Sequence, residues 1–293
     1  MKADGVTIRR SVFEAPLMNE RKWGKVPEIP ADVFIADMED SVPPDLKLEA
    51  RARVLELVSD PSYFGSREFL CRPNNLSTPW GRDDLEALAE AKAPFILYPK
   101  VRTVEEIETV RAILDRHGAS PEIMLIVETP QAVLHLEEIA SCPGVTSLMF
   151  GPGDLSFETG TSLLDGSEPF QEGFLYARSR MILVGRALGL ETIDAVFLAD
   201  LKDLERLREA ARRSRLMGFT GMVSFYPPQV PVINEVMNPS PDEAARAGRI
   251  VEGYEEARGR GLAAVTIDGR AITVHEYRLA QRVVKVAEAL GLG

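Results

Sequence analysis

Two acids set the chemical question: Glu128 of "IVETP" and Asp154 of "GPGDLS", each placed just after an apolar run of strand type. A pair of carboxylates whose remaining positions are filled by water and substrate oxygens is how proteins commonly hold Mg2+. Acids at helix N-termini also act as caps, so spacing leaves two readings: metal ligands, or a cap before Pro130 and a turn at Asp154. Arg72 of "CRPNN" has a planar fork that grips a carboxylate in two places, and a proline follows it. It can hold an α-keto acid beside the metal or pair with an acid of "ADMED", residues Asp37, Glu39 and Asp40. Crowded carboxylates drive at least one pKa upward, which would make Glu39 and Asp40 an acid/base group. Some of these acids can instead cap the helix that follows "VPPD". Lys100 of "YPKV" is either a substrate contact or a surface cation.

Other residue types narrow the options. The three histidines, His117, His135 and His275, are widely separated and in no H-E-x-x-H pattern, so carboxylates must carry any metal. Cys71 and Cys142 form no C-x-x-C pair, so neither a zinc-cysteine site nor a disulfide framework is suggested and a reducing cytoplasm is the default location. Cys71, Trp23 and Trp80 read as packing residues.

Eight apolar runs provide candidate strands, at 9–15, 32–37, 67–72, 95–100, 122–128, 146–151, 192–197 and 218–225. Between them lie helical patterns such as "DLKLEARARVLELV", "VEEIETVRAILDRHG", "AVLHLEEIA" and "DLERLREAARRSRLMG", several ending at glycine. Strands alternating with helices predict a parallel sheet, and eight units with no G-x-G-x-x-G after the first favour a (β/α)8 TIM barrel over a doubly wound sheet. Barrel enzymes collect their chemistry at the C-terminal strand ends. The second to sixth runs end at "ADMED", Arg72, Lys100, Glu128 and "GPGD". The Gly151-Pro152 turn can bring backbone close to a ligand. Arg9 and Arg10 open the first run instead. The barrel core is expected over 1–226. Prolines after 226 mark a break, and 227–293 reads as a helical C-terminal extension, with a hairpin at "AVTIDGRAITV", that covers the barrel or a neighbouring subunit.

A chain of 293 residues with formal charge −11 disfavours nonspecific binding to nucleic acid or anionic membranes and suits small-molecule chemistry. It carries no N-terminal apolar stretch of signal-peptide length and no window apolar enough to span a membrane, which predicts a soluble protein.

Eight segments in register, among them "RRSVFEAP", "DVFIADMEDSVPPDLKLEAR", "CRPNNLSTPWGRDDLEAL", "IVETPQAVLHLEEIA" and "GVTSLMFGPGDLS", closely resemble the citrate lyase β-subunit-like proteins, relatives of malyl-CoA and citramalyl-CoA lyases. The resemblance covers nearly the whole chain. It implies a (β/α)8 fold and Mg2+-dependent (or Mn2+-dependent) cleavage or formation of a carbon-carbon bond between a keto or aldehyde acid and an acyl-thioester enolate. On that basis the metal ligands are Glu128 and Asp154. The catalytic candidates are Arg72, Glu39 and Asp40, and the substrate contacts are Arg10, Arg72, Lys100, Gly151 and Pro152. Glyoxylate, pyruvate or oxaloacetate is the implied keto partner, an acyl-CoA the other, and a homotrimer or homohexamer the implied assembly.

Four departures from the family pattern bear on the reaction. Leu17 replaces a glycine after the first strand, Tyr226 a histidine before Pro227, and Thr273 the aspartate of a C-terminal "D-G-x-M-I-D" pattern. A threonine cannot act as a comparable acid. "GPGDLS" is closer to the "GP-x-DLS" of class II pyruvate aldolases than to "G-A-E-D". The leading expectation is a carbon-carbon lyase acting on a β-hydroxyacyl thioester or related hydroxy acid. A CoA-independent pyruvate-type aldolase and a noncatalytic keto-acid-binding paralogue are the alternatives.

Overall fold

The computed structural model describes residues 2–3, 6–163, 172–262, 265–267 and 269–292. Eight strands close into one parallel barrel: β1 (Ser11–Glu14), β2 (Val33–Asp37), β3 (Glu68–Arg72), β4 (Phe95–Tyr98), β5 (Glu122–Val127), β6 (Val145–Phe150), β7 (Glu191–Asp194) and β8 (Gly221–Ser224), with β8 pairing back to β1. Each falls within or beside an expected run. Parallel strands covered on both faces must be apolar on both, and β2 illustrates it. Val33 and Ile35 join an inner cluster with Leu70, Leu97, Met124 and Val223, while Phe34 and Ala36 pack in the cluster that faces the helices.

The crossover helices include α1 (Lys47–Ser59), α2 (Gly81–Glu90), α3 (Val104–Arg116), α4 (Pro130–Leu134), α5 (Leu136–Ala140), α6 (Pro152–Thr159), α7 (Leu175–Leu188) and α8 (Leu204–Met217). Two differ from expectation. "AVLHLEEIA" is split at His135 into α4 and α5. The expected turn at Gly151-Pro152 and Asp154 opens helix α6: Pro152 presets its first turn, Asp154 adds an acid at the positive end, and Gly160 ends it at φ 71°.

The N-terminal end of the barrel is sealed by charge. Arg9, almost fully buried, donates through Nε to Glu68 (2.6 Å), through Nη1 to Ser147 (2.7 Å) and through Nη2 to Glu122 (2.9 Å). Beside it Gly221 has no room for a side chain, since a Cβ there would lie 1.9 Å from the Arg9 carbonyl oxygen.

By internal contacts the chain forms two compact units, Arg9–Glu235 and Met1–Ile8 with Val236–Gly293. The division falls inside helix α9 (Gln229–Met237), where Asn234 donates to the Pro30 carbonyl (2.8 Å). The second unit holds helices α10 (Pro241–Gly259) and α11 (Val274–Ala289) and an antiparallel hairpin of β9 (Val265–Ile267) and β10 (Arg270–Ile272) at the expected place. Its own core contains Ile250, Ile272 and the stacked rings of Tyr254 and Tyr277. No helix among the described residues is long and apolar enough to cross a membrane.

Candidate active site at the C-terminal mouth of the barrel

A cavity of about 300 Å³ opens at the C-terminal strand ends, and Glu14, Asp40, Arg72, Glu128, Gly151, Pro152 and Asp154 all line it. The structure thereby gathers residues that lie far apart in sequence.

Glu128 follows β5 and is buried. It does not cap the next helix. Thr129 does, accepting the Ala132 N–H (3.0 Å) and donating its hydroxyl to the Val101 carbonyl (2.7 Å). The Glu128 carboxylate instead faces Gly151, where a Cβ would come within 2.5 Å of Glu128 Oε2, so only glycine lets the two strand ends approach. The backbone N–H of Lys100, a residue held at φ 50°, donates to Glu128 Oε1 (2.7 Å). Burial, and then the charges of Glu39 and Asp154, push the Glu128 carboxyl well above the usual range. Asp154 lies in the first turn of α6, and its Oδ2 is 3.7 Å from Lys100 Nζ.

Arg72 ends β3 and is nearly enclosed. Nε donates to Asp37 Oδ1 (2.6 Å) and Nη2 to Glu14 Oε1 (2.7 Å). The ion pair with an acid of "ADMED" therefore exists, and it fixes the fork rather than consuming it: Nη1 makes no hydrogen bond among the described residues, and Arg72 still lines the cavity. Burial opposes ionisation of Asp37, but Arg72, the Ser41 hydroxyl and the Glu39 N–H outweigh it and hold the carboxyl at about 2. Glu14 was not singled out from sequence, although it ends its strand as Arg72 and Glu128 end or follow theirs. The strand-end rule would have found it.

Glu39 is buried beside Arg72 and accepts from Lys100 Nζ (2.5 Å) through Oε1, while its Oε2 has no hydrogen-bond partner. Burial first, opposed by Arg72 and Lys100 and reinforced by Asp40, raises its carboxyl to about 7. Asp40 is exposed and takes both remaining bonds from Lys100 (2.8 Å each). Lys100 is thus a bridge among the site acids and not a free surface cation. The loop carrying Glu39 is held from behind by the buried Lys47, which donates to the carbonyls of Met38 (2.9 Å) and Glu39 (2.8 Å) and to Asn74 Oδ1 (2.7 Å).

Arg10 is not brought to the cavity. It precedes β1 at the opposite end of the barrel, where Nε and Nη2 grip both oxygens of Asp32 (2.8 and 2.7 Å), and its expected substrate contact is corrected to that structural pair. Leu17 is a core residue, Tyr226 is absent from the cavity wall although the adjacent Phe225 is part of it, and Thr273 is an exposed residue at the start of α11, its N–H donated to Glu276 (2.9 Å).

No three His, Cys, Asp or Glu side chains among the described residues form a metal-binding group. The donor set is instead the pair of carboxylates of Glu128 and Asp154 on one cavity wall, while the Glu39 Oε2 that lacks a hydrogen bond lies 3.6 Å from Arg72 Nε; an all-oxygen pair of this kind fits a hard divalent cation that completes its shell with water and substrate oxygens.

Residues 10–227 match the model of the HpcH/HpaI aldolase/citrate lyase family. The chain belongs to that family. It is an enzyme of a lyase family, as the motifs implied. It is 36% identical to a (3S)-malyl-CoA thioesterase of Cereibacter sphaeroides over 96% of this chain and 95% of that one. It is 29% identical to an L-malyl-CoA/β-methylmalyl-CoA lyase of the same species over 89% and 88%. Among solved structures it is similar to the CitE protein of Mycobacterium tuberculosis in complex with magnesium, acetoacetate and coenzyme A, with a TM-score of 0.79 and 25% identity over 96% of this chain and 99% of that one.

Proposed function

We propose that this enzyme is a Mg2+-dependent carbon-carbon lyase that cleaves or forms a β-hydroxyacyl-CoA, with glyoxylate, pyruvate or oxaloacetate as the small keto partner. The observation that carries this reading is that Arg72, Glu128 and Asp154 line one cavity. Glu128 and Asp154 would hold the metal, which when bound supplies Lewis-acid polarisation of the substrate's keto or hydroxyl oxygen. Arg72, braced by Glu14 and Asp37, orients the acid's carboxylate so that the reacting carbons meet in a fixed geometry. In the cleavage direction the substrate hydroxyl gives its proton to a carboxylate, the carbon-carbon electron pair passes to the thioester enolate, and that carbon regains a proton. Glu39, poised near neutrality, and Asp40 at the cavity wall are the groups for this exchange.

Thioester hydrolysis is the second reading, favoured by the 36% identity to a malyl-CoA thioesterase. Calorimetry with Mg2+ and pyruvate tests the site: the native chain binds both, and Glu128→Ala and Asp154→Ala each lose the metal by at least tenfold. Unchanged Mg2+ affinity in both variants rules the site assignment out. Product analysis with malyl-CoA then separates acetyl-CoA plus glyoxylate, the lyase outcome, from free CoA plus malate. Turnover of free hydroxy-keto acids instead would identify a CoA-independent aldolase.

A further inference from the structure

The cavity has two chemically different halves. On the side of β1 to β5 its wall carries Glu14, Arg72 and Glu128. Asp154, after β6, adds to that charge, whereas the wall from the ends of β7 and β8 is Ala195, Phe197, Val223 and Phe225, next to Met149 of β6, with no charged group. Phe197 and Phe225 stack there with centroids 5.3 Å apart and 29° between planes, and Phe157 of α6, 88% exposed, stands at the edge. A two- or three-carbon acid held by Arg72 and the metal carboxylates would leave the apolar half to water. The whole volume of about 300 Å³ has room for on the order of ten waters, and those on the apolar side would meet no polar partner. Ala195, just past the end of β7, the strand between those of Met149 and Val223, puts a small side chain on that wall.

We propose that the substrate carries an unbranched hydrocarbon substituent of three or more carbons, seated on the wall of Ala195, Phe197, Val223 and Phe225. The proposal rests on the lyase reading and sharpens it: the polar half fixes orientation, and the apolar half selects chain length. The substituent belongs either to the keto acid or to the acyl thioester, and both present the same chemistry to this wall.

The experiment uses the full chain with Mg2+ and two calorimetric series: straight-chain 2-oxo acids from glyoxylate to 2-oxohexanoate, and acyl-CoA thioesters from acetyl to hexanoyl. In one series each added methylene tightens binding by about fourfold until the wall is filled, the limit set by complete burial of a methylene. Whichever series responds identifies the substituent's source. Ala195→Leu moves the tightest binder to a shorter chain, and Phe197→Ala moves it to a longer one. Glyoxylate and acetyl-CoA binding as tightly as any longer homologue overturns the proposal while leaving the lyase reading intact. A chain-length effect that neither variant moves overturns the assignment to this wall. Failure of every acid and every thioester to bind overturns both.

Discussion

Glu39 shows how one residue sets the pH behaviour of this site. Its carboxyl is raised from 4.5 to about 7, chiefly by burial, so the folded state holds this proton more tightly than the unfolded chain does. The sign follows directly: stability attributable to Glu39 is complete below pH 4.5 and is lost as pH rises towards 7, because the unfolded carboxyl ionises first. Glu39→Gln copies the protonated form, including its ability to accept from Lys100. Thermal melts should therefore show the variant more stable than the native protein at pH 8, with the difference vanishing near pH 5. A difference independent of pH would show that Glu39 is not the titrating group. The site residues were legible in sequence to different degrees for a physical reason. Glu128 and Arg72 were visible as strand-end residues, but spacing left a cap and an ion pair open, and it was the resemblance that favoured ligand and substrate roles. Arg10 misled because residue type does not say which end of a strand a side chain occupies, and here Asp32 takes it.

At the scale of elements, the loop after β2 is the piece on which the acid geometry depends, and it is fixed by groups behind the cavity. Lys47 reaches from α1 to the carbonyls of Met38 and Glu39, and Asn74 holds the Met38 carbonyl (2.9 Å) while bonding Asp84 (2.6 Å), itself paired with Arg51 (2.6 Å). Lys47→Met would leave the buried Asn74 amide oxygen without its donor, while the Met38 and Glu39 carbonyls keep Asn74 Nδ2 (2.9 Å) and the Val42 N–H (2.9 Å). Urea unfolding should show a loss of roughly 1–3 kcal/mol, the cost of leaving one buried acceptor unsatisfied. A loss below about 0.5 kcal/mol, typical of surface changes, would mean the loop is held by other means. The eight strands were readable because strands buried on both faces are continuous apolar runs bounded by turn residues. Helix α6 was not, since its "GPGD" start has the composition of a turn and becomes helical through the fixed φ of Pro152 and the acid of its first turn. The split at His135 interrupts a pattern whose apolar periodicity runs through the break.

At the scale of the whole molecule, the two units have separate hydrophobic cores: the clusters built on Phe34 and on Ile35 lie entirely within Arg9–Glu235, and the cluster of Ile250, Tyr254 and Tyr277 lies in the other unit. Every cavity residue also belongs to Arg9–Glu235. A chain ending after Met237 should therefore keep a cooperative melt and bind Mg2+ within about threefold of the full-length protein. Turnover and assembly are predicted to behave differently. If the C-terminal segment covers a site or joins subunits, as the resemblance implies, truncation should abolish turnover and reduce a trimer or hexamer to a smaller species by sedimentation, with Mg2+ binding retained. Thr273 gives the sharper version of the same argument. Exposed at the start of α11 and bound through its N–H to Glu276, it has a capping role that needs no acid. Thr273→Asp keeps the backbone bond to Glu276 but sets a carboxylate against that acid where the hydroxyl now donates (3.4 Å), so a slightly lower melt is expected, and it adds an acid where the family pattern has one. A higher kcat despite the lower melt would show that the C-terminal segment serves catalysis, whereas an unchanged kcat would assign the proton exchange to the barrel carboxylates alone.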